Sequence, residues 1–201
     1  MKTWIVTGGA ATGKSSFSQL LVKIGGDQVR YFSCDEKAKS LWEVPSCVEE
    51  VKLLLGNEVL DERGGLDRVK VREKVFNDPN LRVGLEQIFH PIILEALEAE
   101  RAHLLEAGKT KVFLAEVPLH YEIQESVKAD TVIVVATSQT VQVARLIDRR
   151  KLDAITAENL LKAQLPLNVK VNKADSVVWN DGSQTMLEAQ ALMILSDLTK
   201  F

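Results

Sequence analysis

The residues with the most explicit chemistry stand near the amino end, where Gly8-Gly9-Ala10-Ala11-Thr12-Gly13-Lys14-Ser15 satisfies the spacing G-x-x-x-x-G-K-[ST]. Glycines at this spacing let the backbone curl so that its N–H groups turn onto phosphate oxygens. A helix starting at the lysine adds the positive end of its dipole to the same anion. Lys14 then reaches the β and γ phosphates, and Ser15 offers a hydroxyl to Mg²⁺, an ion that keeps most of its waters and takes few protein ligands. Gly8, Gly9, Ala10, Ala11, Thr12, Gly13, Lys14, Ser15 and Ser16 are therefore expected to hold a nucleoside triphosphate. The plain alternative is a glycine-rich turn with an incidental lysine, and the apolar run before the loop with the amphipathic stretch after it tells against that.

Other residues able to do chemistry are scattered. Asp35 lies just past the run 29–33, where a carboxylate could orient an attacking hydroxyl or, more simply, cap a helix through Glu36-Lys37-Ala38. Glu116 ends the run 112–115 and suits an acid that holds Mg²⁺ through water, or a surface glutamate at a strand end. Arg145 and Arg149 share one helix face at i,i+4 spacing. Their planar forks suit a transferring phosphoryl group, or form a solvated basic face with Asp148 and Asp153. Arg72 could hold an acceptor phosphate or pair with Glu73 or Asp78, and His90 reads more readily as a packed or capping histidine beside Pro91. Asn180-Asp181-Gly182 follows an apolar run and could read a base edge, or simply turn the chain.

Positioning these groups requires a sheet. Trp4-Ile5-Val6-Thr7, Val112-Phe113-Leu114-Ala115 and Thr131-Val132-Ile133-Val134-Val135 are short, β-branched and apolar throughout, which means strands covered on both faces in a parallel sheet. Residues 29–33 and 176–179 are weaker strands. Phe17, Leu20, Leu21 and Ile24 mark one face of a first helix that Gly25-Gly26 ends. Residues 35–108 lack a strong strand and read as helical, with His90-Pro91 expected to bend or break the longest segment. The fold class is α/β: a three-layer sandwich with a five-stranded parallel sheet between helices, a helical insertion and a helical lid.

Composition limits the partners. The 201 residues carry 25 Lys plus Arg against 28 Asp plus Glu, a net charge of −3, so the basic excess of a general nucleic-acid binder is missing. The longest apolar run is far below the ~20 residues of a membrane-spanning helix, and no secretory signal is apparent. Cys34 and Cys47 form no C-x-x-C motif, and no histidine pair has metal-ligand spacing. A reduced cytoplasm is the expected setting, without nucleic-acid or membrane partners.

Two motifs, Asp61-Glu62-Arg63-Gly64 and Asn172-Lys173-Ala174-Asp175, imitate a GTP-dependent switch. Their context argues otherwise, since neither closes an apolar strand and the run 176–179 follows the second motif instead of preceding it.

Over nearly its full length the chain resembles the dephospho-coenzyme A kinase family. The resemblance rests on the phosphate loop, Ser33-Cys34-Asp35-Glu36-Lys37-Ala38, Asp67-Arg68 with Arg72 and Val75-Phe76, His90-Pro91, and Pro118-Leu119-His120-Tyr121-Glu122. It continues through Gln142, Arg145, Arg149, Gln164, Ala174-Asp175 and Asn180-Asp181-Gly182. The chain departs from the family pattern at Ala11, usually glycine, at Ser33, often the first aspartate of a D-x-D pair, and at His120, usually apolar. The resemblance implies a P-loop kinase that transfers the γ phosphate of ATP, with Mg²⁺, to the ribose 3′-hydroxyl of dephospho-coenzyme A, the last step of coenzyme A biosynthesis. It implies Asp35 as general base, and Lys14, Arg145 and Arg149 as groups steadying the transferred charge. It implies Ser15 and Glu116 at the metal, Asn180 and Gly182 at the nucleotide, and Asp35, Arg72, His90, Pro118 and Leu119 at the acceptor. The corresponding parts are a nucleotide-binding core of 1–34, 109–138 and 167–201, an acceptor-binding insertion of 35–108 and a lid of 139–166. The residues alone leave a nucleoside, shikimate or adenylylsulfate kinase as alternatives.

Overall fold

Each apolar run becomes a strand in the computed structural model, which describes residues 1–123 and 127–196. Residues 124–126 and 197–201, assigned above to the nucleotide-binding core, lie outside the described residues. The strands are β1 (Lys2–Gly8), β2 (Val29–Ser33), β3 (Val112–Glu116), β4 (Thr131–Ala136) and β5 (Ser176–Trp179). They pair in parallel in the order β2-β3-β1-β4-β5. The chain leaves β1 toward β2 on one side and enters β4 on the other, so the carboxyl end of β1 is a topological switch point, where open α/β sheets bind ligands.

The chain divides into two compact units, one of Met1–Ser33 with Arg101–Phe201 and the other of Cys34–Glu100. In the first, period-two alternation puts Trp4, Val6, Val112, Leu114, Ile133, Val135 and Val178 on one face of the sheet, all buried in one cluster. Two helices cover that face. From α1 (Lys14–Gly25) come Phe17, Leu20 and Leu21. The last described helix, Gln184–Ser196, adds Leu187, Ala191 and Leu195 at intervals of four. Ile5, Phe113 and Val134 on the opposite face are equally buried, as continuous apolar runs require.

The second unit is helical: α2 (Cys34–Leu41), α3 (Pro45–Leu55), α4 (Arg68–Asn77) and the first part of α5 (Pro79–Ala107). Asp67 caps α4 by accepting from the Val69 and Lys70 N–H groups. Arg68 lies over the Trp42 ring, 5.4 Å from its centroid, and Trp42 in turn packs against Phe89. His90-Pro91 does not break the long helix, because α5 runs through Pro91. The hydrogen bond that proline deletes would have gone to the carbonyl of Gln87. Gln87 and Pro91 are both exposed, so water can take over that carbonyl.

Beyond β4 come α6 (Gln139–Arg150), α7 (Ala154–Lys162) and α8 (Leu167–Asn172), with α9 the helix Gln184–Ser196 already described.

Candidate active site

The glycine-rich loop sits between β1 and α1, at the carboxyl end of the central strand. Its shape depends on two glycines. At Gly8 (φ +147°) a Cβ would lie 2.2 Å from the Val135 carbonyl oxygen, and at Gly13 (φ +94°) it would lie 2.2 Å from Asn180 Nδ2. Ala11 adopts φ +57°, a left-handed conformation unusual for a residue with a Cβ. Gly13 is also the N-cap of α1 and has no side chain with which to cap, so the first-turn N–H groups remain available to an anion.

Side chains hold every carbonyl from Gly8 to Thr12, that of Gly9 from within the loop and the others from distant segments. Lys170 Nζ donates to Gly8 O (3.4 Å), and Lys14 Nζ to Gly9 O (2.9 Å). Gln142 Nε2 donates to Ala10 O (2.7 Å). Arg145 Nη1 reaches Ala11 O and Thr12 O (3.3 Å each), and Asn180 Nδ2 donates to Thr12 O (2.8 Å). In a planar trans peptide the next N–H points away from its carbonyl, so this bracing turns the N–H groups of Ala11, Thr12 and Gly13 to the opposite side. The Ala10 N–H is used differently, donating to Gln164 Oε1 (2.9 Å). Gln142 and Gln164 thus grip the two ends of the Ala10 residue, which is itself buried with Leu146 and Ala157.

Glu116 shares the α1 face of the sheet with Val112 and Leu114, two residues apart. It is 2% exposed, which dismisses the surface-glutamate alternative. Its two oxygens accept from Ser15 Oγ (2.7 Å) and Tyr31 Oη (2.8 Å), so the carboxylate lies against the loop hydroxyl singled out as a metal ligand. Hard oxygen donors at that spacing fit Mg²⁺. Among the described residues no group of three or more His, Cys, Asp or Glu side chains gathers as a metal site. Ser16 is half-buried in the first turn of α1.

Arg145 points inward from α6, donating also to Asn180 O (2.8 Å). Burial, then the nearby Arg149 charge, lowers its pKa, while Asp181 raises it. Arg149 is exposed one turn on. Asp153 caps α7 by accepting from Thr156 N (2.8 Å). Asp181 accepts from the Thr137 hydroxyl, Ser138 N (2.8 Å) and Trp179 Nε1 (2.9 Å), with the Thr137 bond foremost in holding its carboxyl below the ordinary aspartate range. The 180–182 segment is therefore a pinned turn, with Asn180 buried and Gly182 exposed.

After β3, Pro118 O accepts from Thr7 Oγ1 (3.2 Å), and Leu119 O accepts from the N–H groups of Glu122 and Ile123 (3.0 Å each). His120 is buried, and burial lowers its pKa although Glu122 raises it. Asp35, Arg72 and His90 belong to the second unit. Asp35 is exposed in the first turn of α2, which begins one residue earlier at Cys34, so it is a helical residue and not the cap. Arg72 is exposed on α4, and Asp78 caps α5 by accepting from Asn80 N (2.8 Å). His90 is half-buried on α5.

The two switch-like motifs take structural roles. Asp175 is bonded to Val132 at the amino end of β4, with Val132 N donating to Asp175 Oδ2 (2.7 Å). That is the edge of the sheet opposite the phosphate loop, so Asp175 cannot read a base there. Asp61 organises a tight turn, accepting from Arg63 N (2.8 Å) and Gly65 N (2.9 Å).

Sequence reasoning did not single out Lys170 or Tyr31. A lone lysine in Val169-Lys170-Val171 and a tyrosine in β2 give no local signal, since each acquires its partner only when distant segments meet. A cleft of about 460 Å³ opens beside Gly9, lined by Thr137, Gln142, Leu161, Gln164 and Pro166.

The family model for dephospho-CoA kinase matches residues 4–185. A dephospho-CoA kinase of Anaeromyxobacter dehalogenans is 38% identical over 194 residues, covering 96% of this chain and 90% of that protein. One from Staphylococcus epidermidis is 35% identical, covering 96% and 93%. Among solved structures, a Thermus thermophilus protein superposes with a TM-score of 0.82 at 27% identity, covering 98% of this chain and 97% of the other. Dephospho-CoA kinase from Campylobacter jejuni gives a TM-score of 0.63 at 25% identity, covering 100% and 98%. A five-stranded parallel sheet with a braced phosphate loop, matched over nearly its whole length by these relatives, places the chain in the dephospho-coenzyme A kinase family.

Proposed function

We propose that this enzyme transfers the γ phosphate of ATP to the ribose 3′-hydroxyl of dephospho-coenzyme A, giving coenzyme A and ADP in the cytoplasm. The observation that carries the reading is the loop of residues 8–15 with its carbonyls held by side chains and Ser15 bonded to the buried Glu116, within a chain whose relatives are named for this reaction. Phosphoryl transfer demands positioning and charge stabilisation more than covalent chemistry, and a pre-braced loop supplies the first.

Each site residue then has a role. Within the loop of Gly8 to Ser16, the N–H groups of Ala11, Thr12 and Gly13 and those of the first turn of α1 cradle the β and γ phosphates, and Lys14 swings from Gly9 O onto them. Asn180 and Gly182 border the base. Ser15 and Glu116 would hold Mg²⁺, which when bound neutralises charge on the phosphate oxygens. Arg149 faces the transferring group from the lid of 139–166, where excluding water limits wasteful ATP hydrolysis, and Arg145 steadies that group through the loop carbonyls it holds. Asp35 acts as the general base that orients the acceptor hydroxyl, and Arg72, His90, Pro118 and Leu119 contact the acceptor, chiefly through the insertion of 35–108.

The test is turnover with ATP, Mg²⁺ and a panel of dephospho-coenzyme A, shikimate, adenylylsulfate and nucleosides, followed by ADP release. Release that depends on dephospho-coenzyme A is expected. Release driven by another acceptor would overturn the reading.

A further inference from the structure

Lys170 is a fully buried lysine beside the phosphate loop. Burying an ammonium group is costly, and a methionine would pack in its place without that penalty, so its retention calls for a partner that needs the charge. It has two. Lys170 Nζ pairs with Glu122 Oε1 at 2.6 Å and donates to Gly8 O at 3.4 Å. Glu122 Oε1 also accepts from Leu165 N (3.2 Å), and the neighbouring Gln164 accepts the Ala10 N–H. The ion pair of Lys170 with Glu122 therefore joins three segments distant in sequence: the first residue of the phosphate loop through the ammonium, the turn of residues 118–122, and, through the carboxylate, the segment leading from α7 into α8.

Gly8 is where the loop leaves β1, and its backbone has little freedom, since even a Cβ would collide with Val135 O. We propose that Lys170 is a positioning residue for ATP: through Gly8 O it fixes where the phosphate loop begins, while Glu122 balances its charge and joins it to the segment that ends the lid. It touches the loop backbone and not the reacting atoms. The proposal rests on the reading that the loop holds ATP, and it predicts an effect on ATP that spares the acceptor.

The test compares the parent, Glu122→Gln, and the double variant Lys170→Met with Glu122→Gln. The double variant removes the buried charges together, so that no orphaned carboxylate confounds folding. Its Tm is expected near the parent's, with KM for ATP raised on the order of tenfold, the scale of one charge-assisted hydrogen bond, and KM for dephospho-coenzyme A within about twofold. A folded double variant with KM for ATP within about twofold of the parent would overturn the role, since that bond would then have carried nothing. Should the double variant fail to fold, Glu122→Gln alone decides. It keeps the ammonium on Gly8, so Tm falls while KM for ATP stays within about twofold; a tenfold rise, on the order of a lost charged bond, would overturn the proposal. Calorimetric titration with ATP, without acceptor, runs alongside. A parent that binds ATP yet leaves dephospho-coenzyme A unphosphorylated refutes the acceptor assignment, while the variants' ATP affinities still decide the role of Lys170.

Discussion

Ala11 carries a cost that glycine would avoid. A Cβ at φ +57° crowds the following carbonyl, an unfavourable term of roughly 1–2 kcal/mol that glycine escapes, while glycine's freer unfolded chain returns roughly 0.4–1 kcal/mol of it. Ala11→Gly is therefore expected to stabilise the protein by up to about 1 kcal/mol, read as a rise in Tm. An unchanged or lower Tm would mean that the loop is relaxed as it stands. His120 gives a second residue-scale expectation, in pH. Burial lowers its folded pKa below the unfolded value, so the unfolded chain takes up protons first. Stability is fully present above the ordinary histidine pKa and is lost as pH falls below it through the folded value. His120→Leu should flatten that part of a stability-against-pH curve measured by urea unfolding, and a curve identical to the parent's would contradict the assignment. Glu116 shows what sequence can reach at this scale. Its position after an apolar run was legible, but its burial against Ser15 and Tyr31 depends on strand pairing that no local pattern encodes.

The elements were legible wherever the hydrophobic pattern was unambiguous. Runs apolar at every position read as strands covered on both faces, and even the short run 176–179 takes its place at the sheet edge. Proline was legible only in part, because a bend or break is expected at Pro91 and the helix runs through that position, which faces water. The bracing of the phosphate loop was legible only in part. The motif identifies the loop and supplies the donor to Gly9 O, but the donors that fix the carbonyls of Ala10, Ala11 and Thr12, and Lys170 on Gly8 O, come from α6, α8 and the turn after β5, more than 125 positions away along the chain. Arg145 is the most exacting of these donors, since one planar fork reaches Ala11 O, Thr12 O and Asn180 O. Arg145→Lys keeps the charge but cannot span all three acceptors. It is expected to lower kcat/KM for ATP by about 10- to 100-fold with little change in Tm, and a steady-state assay showing parental values would remove the bracing role.

At the scale of the molecule, the two units divide the proposed labour, with the phosphate loop in one and Asp35 in the other. The division predicts separable kinetics. Asp35→Asn should lower kcat by about 10²- to 10⁴-fold, the usual contribution of a general base, and leave ATP affinity within about threefold. Lys14→Ala should weaken both, and parental activity in Asp35→Asn would move the acidic role elsewhere. The sheet and its loop could be read from sequence because their patterns are local. The proposed roles of Arg72 and His90 could not, because which side chains the helices of the second unit bring together follows from packing that no local pattern encodes. The most direct measurement of the central claim is to supply ATP labelled in the γ phosphate together with Mg²⁺ and dephospho-coenzyme A, and to locate the label by phosphorus NMR. The account predicts coenzyme A carrying the label as its ribose 3′-phosphate, formed in step with ADP. Label appearing as free phosphate at the same rate with or without the acceptor would contradict it.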